Sequence, residues 1–135
     1  MTTHPYLRAY MAGIAVPSVF MLVIFTGFCL LRFGYRVEVP LERAVVFPLA
    51  LVPNMWGAWN MLYLATHRRL PLGIHGAILP AIVFPVALIV AHAVVGPFPG
   101  FFTTVMSLAV PVVLIIYYLV WKYIVSFLNR MLGIA

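Results

Sequence analysis

Four apolar runs, each about as long as a membrane is thick, dominate this sequence of 135 residues. They extend over residues 9–31, 44–65, 74–95 and 101–121. About 20 residues of α-helix cross the roughly 30 Å hydrocarbon core of a bilayer. Because lipid-exposed backbone must satisfy its own hydrogen bonds, runs of this length are expected to be helices. The sequence therefore predicts an all-α integral membrane protein with four transmembrane helices.

The composition agrees with this interpretation. Hydrophobic residues make up 66% of the chain and charged residues 7%, whereas about a quarter of the residues in a soluble domain are charged. A water-soluble fold is therefore excluded. The formal net charge is +6, but the cations flank the apolar runs instead of forming a patch, which argues against nucleic acid as a partner. Membrane lipids are the expected surroundings.

Short connections join the runs, at residues 32–43, 66–73 and 96–100. Loops of this length make neighbouring helices antiparallel, so we expect an up-down antiparallel bundle with both termini on one side. That side holds five cations, which are Arg8, Arg68, Arg69, Lys122 and Arg130. The other side holds three, which are Arg32, Arg36 and Arg43. Since cytoplasmic loops carry an excess of Lys and Arg, we expect a multi-pass protein with cytoplasmic N- and C-termini.

The fourth helix is predicted to continue as an amphipathic tail over residues 122–133, and residues 1–135 to form a single four-helix transmembrane domain. Apolar and polar side chains alternate in this tail at helical spacing. The apolar ones are Ile124, Val125, Phe127, Leu128, Met131 and Leu132. The polar ones are Lys122, Ser126, Asn129 and Arg130. Such a tail either lies on the membrane surface, which is the simpler expectation, or packs against a partner.

Every predicted span contains proline. The helix-kink candidates are Pro17, Pro48, Pro53, Pro80, Pro85 and Pro111. A proline inside a helix removes a backbone hydrogen bond and clashes with the preceding turn, so we expect kinked helices. Transporters use such bends as hinges, although proline is also an ordinary component of membrane helices.

The second run holds the densest polar chemistry, at residues 53–63. Helical spacing predicts an aromatic face made by Trp56, Trp59, Asn60 and Tyr63. It predicts an opposite, slimmer face made by Ala50, Asn54, Gly57, Met61 and Ala65. The slim face indicates close approach to another helix, with Asn54 bonding across the contact. The aromatic face indicates either a binding site for a lipid or quinone or part of the interfacial aromatic belt.

Ionisable groups are rare inside the predicted spans. No Asp or Glu lies in any of them, which excludes proton coupling through a membrane carboxylate. His92 lies just inside the end of the third span and is a functional candidate for that reason. His75 lies about 25 Å from it along the helix, too far for the two to share a haem iron. The histidines near the middle loop are expected at the membrane interface, and no metal site is predicted.

The sequence contains no His-Glu-x-x-His helix and no Gly-x-Ser-x-Gly elbow, and the lone Cys29 cannot form an internal disulfide. We therefore expect a small non-enzymatic membrane protein, with no cofactor indicated. It would act as a homo-oligomer, or as an accessory or structural subunit bound to another membrane protein. One alternative is a small oligomeric transporter or channel. Its candidate lining is Asn54, Asn60, His92, Thr103, Thr104 and Ser107. The other alternative is a lipid- or quinone-binding protein that uses Trp56, Trp59 and Asn60.

Overall fold

Long helices make up most of the described chain. The computed structural model describes residues 4–36, 42–66, 69–97 and 100–134, apart from the side chains of residues 42–50, 91, 94, 95 and 101–103. The helices are α1 (Pro5–Cys29), α2 (Glu42–Ala65), α3 (Leu72–Val95), α4 (Gly100–Val120) and the short α5 (Ser126–Met131). No strand occurs in the described ranges, so the predicted all-α class is confirmed there.

Three stretches of helix are long and apolar enough to cross a membrane, at Pro5–Gly34, Leu72–Val90 and Thr104–Met131. They contain 30, 19 and 28 residues, against about 20 needed for a bilayer. The chain therefore has the helices of a membrane protein. α2 contains 24 residues, and its crossing stays a prediction.

Two π-helical turns extend the helices. Leu30–Gly34 follows α1, and Trp121–Val125 joins α4 to α5. Neither turn contains a proline. The six candidate prolines lie instead within α1, α2, α3 and α4, and the burial of five of them is described. Pro53 of α2 is half-buried. Pro17 and Pro80 are buried, whereas Pro85 and Pro111 are exposed. The side chain of Pro48 lies outside the described residues, and bending at any of these prolines stays a prediction.

Proline and glycine set the helix ends. α1 begins at Pro5, directly after His4 at φ 62°, and a proline in the first turn loses no intrahelical hydrogen bond. α3 begins after Pro71 and ends before Gly96 at φ 94°, a conformation that favours glycine. The predicted spans start two to four residues after the true first residues of α1, α2 and α3. Hydropathy does not detect helix ends that are set by backbone conformation.

The chain forms two compact units. Unit 1 comprises Met1–His67 and Leu128–Ala135, and unit 2 comprises Arg68–Phe127. Unit 1 therefore contains α1, α2 and the final residues of the chain, here called the C-terminal segment (Leu128–Ala135). Unit 2 contains α3, α4 and the π turn Trp121–Val125. Each unit is described by itself below.

In unit 1, α1 and α2 approach until their backbones touch. A Cβ atom on Gly13 would lie 2.6 Å from the carbonyl oxygen of Trp56 and 2.8 Å from the Cα of Gly57. A Cβ on Gly57 would lie 2.6 Å from the ring of Tyr10 and 2.7 Å from Ile14. Small residues permit this close packing of membrane helices. The predicted close approach at Gly57 is therefore confirmed.

In unit 2, α3 packs against α4 and the π turn through two glycines in its first turns. A side chain on Gly76 would overlap the ring of Trp121, which is fully buried. A Cβ on Gly73 would lie 2.8 Å from the ring of Tyr118 and 3.1 Å from Cβ of Lys122. The His75 ring lies beside Trp121, with centroids 6.3 Å apart. The start of α3 is thus shaped to receive these aromatic side chains.

The outward surface is strongly apolar, most visibly on α1. Its buried residues are Ala9, Ala12, Gly13 and Pro17, all in its first half. Beyond Pro17 the exposed side chains include Val19, Phe20, Leu22, Val23 and Phe25. Leu22 is 68% exposed. Such a surface would cause aggregation in water, but it is the ordinary surface of a helix in lipid.

Candidate functional site

The most deeply buried polar side chains of unit 1 belong to Asn60 on α2 and Asn129 in the C-terminal segment. Their exposed fractions are 0% and 1%. Asn60 Nδ2 donates to Asn129 Oδ1 over 2.8 Å, and Asn129 Nδ2 donates back to Asn60 Oδ1 over 3.2 Å. Asn60 Nδ2 also donates to the carbonyl oxygen of Ala9 over 2.7 Å. These residues, here called the amide pair, connect α1, α2 and the C-terminal segment.

The amide pair uses most of its hydrogen-bonding capacity within the protein. An asparagine side chain has two N–H donors and one carbonyl acceptor. Both donors of Asn60 are used, and each amide oxygen accepts one hydrogen bond. A buried amide left without such bonds would cost about 1–3 kcal/mol. The arrangement therefore holds helices together, and neither amide offers an acid, a base or a nucleophile.

A buried apolar cluster adjoins the amide pair through Ala9, whose carbonyl accepts a hydrogen bond from Asn60. Ala9, Ala12 and Ile134 form a buried cluster. Side chains packed against it are Met61, Leu64, Leu128 and Leu132. The small side chains of α1 leave room for Ile134, which is 6% exposed. Burial of this kind also excludes competing water or lipid from the amides, which strengthens their hydrogen bonds.

The end of the chain is fixed by a Schellman motif. Ile134 N–H donates to the Asn129 carbonyl over 2.8 Å, and Gly133 N–H donates to the Arg130 carbonyl over 3.1 Å. Gly133 has φ 67°, as this motif requires of the residue after the helix, and an apolar residue such as Ile134 commonly follows it. The backbone at Asn129 is held by this turn while its side chain bonds to Asn60.

Arg8 adds a charged contact to the same turn. Its Nη1 donates to the carbonyl oxygen of Leu132 over 3.3 Å. The last carbonyls of a helix have no intrahelical partner and carry partial negative charge, so a cation is favourable there. Arg8 of α1 thus binds the C-terminal segment. The next residue of α1, Ala9, accepts the hydrogen bond from Asn60.

The predicted faces of α2 are corrected by the structure. Trp56, at 6% exposure, and Asn60, from the aromatic face, are buried together with Gly57 from the slim face. All three lie against Gly13 of α1. The contact face therefore lies between the two predicted faces. Prediction failed here because both lipid and helix partners accept apolar side chains, so hydropathy does not fix the rotation of a membrane helix.

Other predicted residues of α2 lie at the edges of this contact. Asn54 is exposed, and its Oδ1 accepts a hydrogen bond from the Tyr10 hydroxyl of α1. The predicted bond from Asn54 across a helix contact is therefore confirmed. Trp59 is half-buried. A ligand-binding role for Trp56, Trp59 or Asn60 stays a prediction.

The remaining candidates belong to unit 2, and they are His92, Thr103, Thr104 and Ser107. His92 is exposed in the last turn of α3, where its carbonyl accepts from Gly96 N–H over 3.0 Å. Ser107 is exposed on α4, and its hydroxyl donates to the Thr104 carbonyl of the same helix over 2.8 Å. Such a bond to the preceding turn is ordinary for serine in a helix. The side chain of Thr103 lies outside the described residues.

Asn129 was missed as a site residue because the predicted tail assigned it to a water-facing polar side. The structure places it inside, whereas Ile124, Phe127 and Met131 are exposed. The tail therefore packs in part against α1 and α2 of its own chain. Nothing in the local sequence pattern distinguished Asn129 from the other polar residues of the tail.

No protein-family model, curated protein or solved structure matches the chain. Its function is therefore inferred from its own residues.

Proposed function

We propose that this chain is a non-enzymatic, multi-pass membrane protein that acts as a structural subunit. It would assemble with copies of itself or serve as an accessory subunit bound to another membrane protein. Its four long helices would cross the bilayer as an up-down antiparallel bundle with cytoplasmic termini. The number of Lys and Arg on each side supports this orientation.

The observation that carries the proposal is that the amide pair is buried and makes its hydrogen bonds within the protein. In a pore or binding site, polar side chains face a cavity where an ion or ligand can reach them. Asn60 is instead fully buried, and its two N–H groups donate to Ala9 and Asn129. Polar groups that hold membrane helices together are typical of a structural role. This use of Asn60 counts against its role in the transport and quinone-binding alternatives.

The uncovered half of α1 supports assembly with a partner. Between Val19 and Phe25 it exposes several large apolar side chains, whereas its fully buried residues lie no further along the helix than Pro17. Lipid can cover this surface, and so can a second transmembrane helix, because in a membrane helix association depends on shape and packing. Cys29, half-buried on this part of α1, offers a direct probe of that choice.

Oxidative crosslinking through Cys29 in native membranes tests the proposal. If α1 faces a second copy, copper-phenanthroline should produce a disulfide-linked dimer. Cys29→Ser should abolish it, and Leu22→Cys in the Cys29→Ser background should restore crosslinking along the same helix. An adduct with a different protein, identified by mass spectrometry, would support an accessory subunit instead. Leu62→Cys, exposed on α2, is the matched control away from α1.

The proposal would be wrong if every cysteine position on α1 gave only monomer and mild detergent also released a monomer without a partner. Selective solute flux into proteoliposomes, lost in His92→Ala or Ser107→Ala, would replace it with transport. Quenching of tryptophan fluorescence by a quinone analogue, lost in Trp56→Phe, would replace it with ligand binding.

A further inference from the structure

Lys122 lies between two tyrosine rings in unit 2. Its Nζ lies 5.5 Å from the centroid of the Tyr118 ring and 5.3 Å from that of Tyr123. Both distances fall within the range of a cation–π interaction, about 6 Å. Lys122 itself is exposed. Its position is therefore ordered by aromatic contacts, while its ammonium group remains accessible.

The π turn helps to create this arrangement. Ser126 N–H donates to the Trp121 carbonyl, five residues back. A π turn winds less per residue than an α-helix, so Tyr123 lies nearer to the side of Lys122 and Tyr118 than an α-helix would place it. Gly73 of α3 completes the site, because the absence of a side chain there leaves room for Tyr118 and Lys122.

The lengths of two helices indicate how deep Lys122 would lie in a membrane. The apolar stretch Thr104–Met131 is longer than a bilayer requires. If the hydrocarbon core begins at Thr104, Lys122 lies about 27 Å along the helix, close to the roughly 30 Å thickness of the core. On the neighbouring helix, Gly73 is the second residue of the span Leu72–Val90 and lies against Lys122. With the membrane placed in this way, the ammonium group lies at the level of the lipid headgroups, where tyrosines are also common.

The charge of Lys122 has no acidic partner within its unit. The sequence of unit 2 contains Arg68, Arg69 and Lys122 but no Asp or Glu, because both acidic residues, Glu38 and Glu42, belong to unit 1. Any fixed negative charge beside Lys122 would therefore come from outside the unit. In a membrane, the phosphate of an anionic lipid is available at this depth.

We propose that Lys122, held between Tyr118 and Tyr123, binds the headgroup phosphate of an anionic phospholipid. The ammonium group has three N–H donors, and the two rings orient it without neutralising its charge. This proposal requires only that the helices of unit 2 span the membrane, and it is independent of whether the chain assembles with a partner.

Native mass spectrometry in mild detergent tests the proposal with phosphatidylglycerol and phosphatidylcholine that carry identical acyl chains. The protein should retain phosphatidylglycerol in preference to phosphatidylcholine. Lys122→Gln should reduce this preference about fivefold, as expected for one cation near an anionic surface. Lys122→Arg should keep it. The matched control is Arg36→Gln, which removes the same charge from an exposed residue after α1 and should leave the preference unchanged.

Equal losses in Lys122→Gln and Arg36→Gln would overturn the proposal, since they would indicate net charge alone. Displacement of phosphatidylglycerol by millimolar inorganic phosphate would assign the site to a free anion, and an acidic protein retained instead of lipid would assign it to a protein partner. If Lys122→Gln does not fold, Tyr123→Leu keeps the charge and removes one exposed ring. It should lower the preference by less than about fivefold, the loss expected for removing the charge, and an unchanged preference would contradict the aromatic site.

Discussion

Asn60 and Asn129 exchange hydrogen bonds in both directions although they stand 69 positions apart in the sequence. Each side-chain amide therefore supplies both a hydrogen-bond donor and an acceptor to the other. Because both are buried, replacing one leaves the other with an unpaired donor and acceptor. The stability of unit 1 should consequently depend on the two residues jointly, and this can be measured.

We expect Asn60→Leu and Asn129→Leu each to lower the free energy of unfolding by about 1–3 kcal/mol, the cost of stranding a buried polar partner. The double variant should cost less than the sum of the single variants, because no unpaired amide remains opposite a leucine. SDS titration of the protein in micelles, followed by circular dichroism, measures these energies. As a control, Asn54→Leu removes the hydrogen bond to Tyr10. Its change in the free energy of unfolding should simply add to that of Asn129→Leu when the two are combined. Additive effects of Asn60→Leu and Asn129→Leu would contradict the amide pair.

Two glycines of α1 should respond oppositely to alanine. Gly13→Ala places a Cβ 2.6 Å from the Trp56 carbonyl and should destabilise unit 1 by about 1–3 kcal/mol through overpacking. Gly27→Ala meets no atom within 4 Å and should be neutral or stabilising by up to about 1 kcal/mol, because alanine is the better helix former. The same unfolding assay compares them. A stable Gly13→Ala variant would show that α1 and α2 do not touch as described.

The Schellman turn gives a test at the end of the chain. Gly133 has φ 67°, a conformation that costs a β-branched residue about 1–2 kcal/mol and asparagine less. Gly133→Val should therefore loosen the C-terminal segment, and Gly133→Asn should not. Trypsin cleavage after the exposed Arg130 reports this opening, because proteolysis follows the population of the open segment. Equal cleavage rates for the two variants would count against the turn.

Single-cysteine labelling should decide whether α2 crosses the membrane. In a Cys29→Ser background, cysteines can be introduced at exposed positions near the two termini and the first two predicted loops, at Tyr6, Tyr35, Leu70 and Met131. We expect a membrane-impermeant maleimide to reach Tyr35→Cys from one side and the other three from the opposite side. Labelling of Tyr35→Cys and Leu70→Cys from the same side would mean that α2 does not span the bilayer.

The helices themselves could be predicted from the sequence because a lipid-exposed backbone requires long apolar stretches. The predicted run 44–65 compares with α2 at Glu42–Ala65, and the run 74–95 with α3 at Leu72–Val95. The remaining differences arise at ends set by backbone conformation, such as the proline start of α1 at Pro5. The π turns could not be foreseen, since no residue type in Trp121–Val125 requires one.

The amide pair was only half predicted. Asn60 stood out as a polar residue within an apolar run, whereas Asn129 lay beside Arg130 in a tail whose polar residues suit a membrane surface equally well. In lipid, an uncharged amide gains more from an internal partner than from its surroundings, which reverses the rule that polar residues face outward. Its partner stands 69 positions away, and no local pattern in one sequence identifies a contact at that separation.

The last fully buried residue of α1 is Pro17, and the two parts of the helix on either side of it can vary under different constraints. Ahead of that proline, Ala9, Ala12 and Gly13 must remain small, so even a conservative exchange for valine or leucine should be rejected. After it, bulk matters little at Leu22 or Val23, and leucine, isoleucine, valine and phenylalanine should be interchangeable there, whereas a single charge should not be tolerated. A saturation mutagenesis profile of one continuous helix should therefore change from selection on volume to selection on polarity at Pro17.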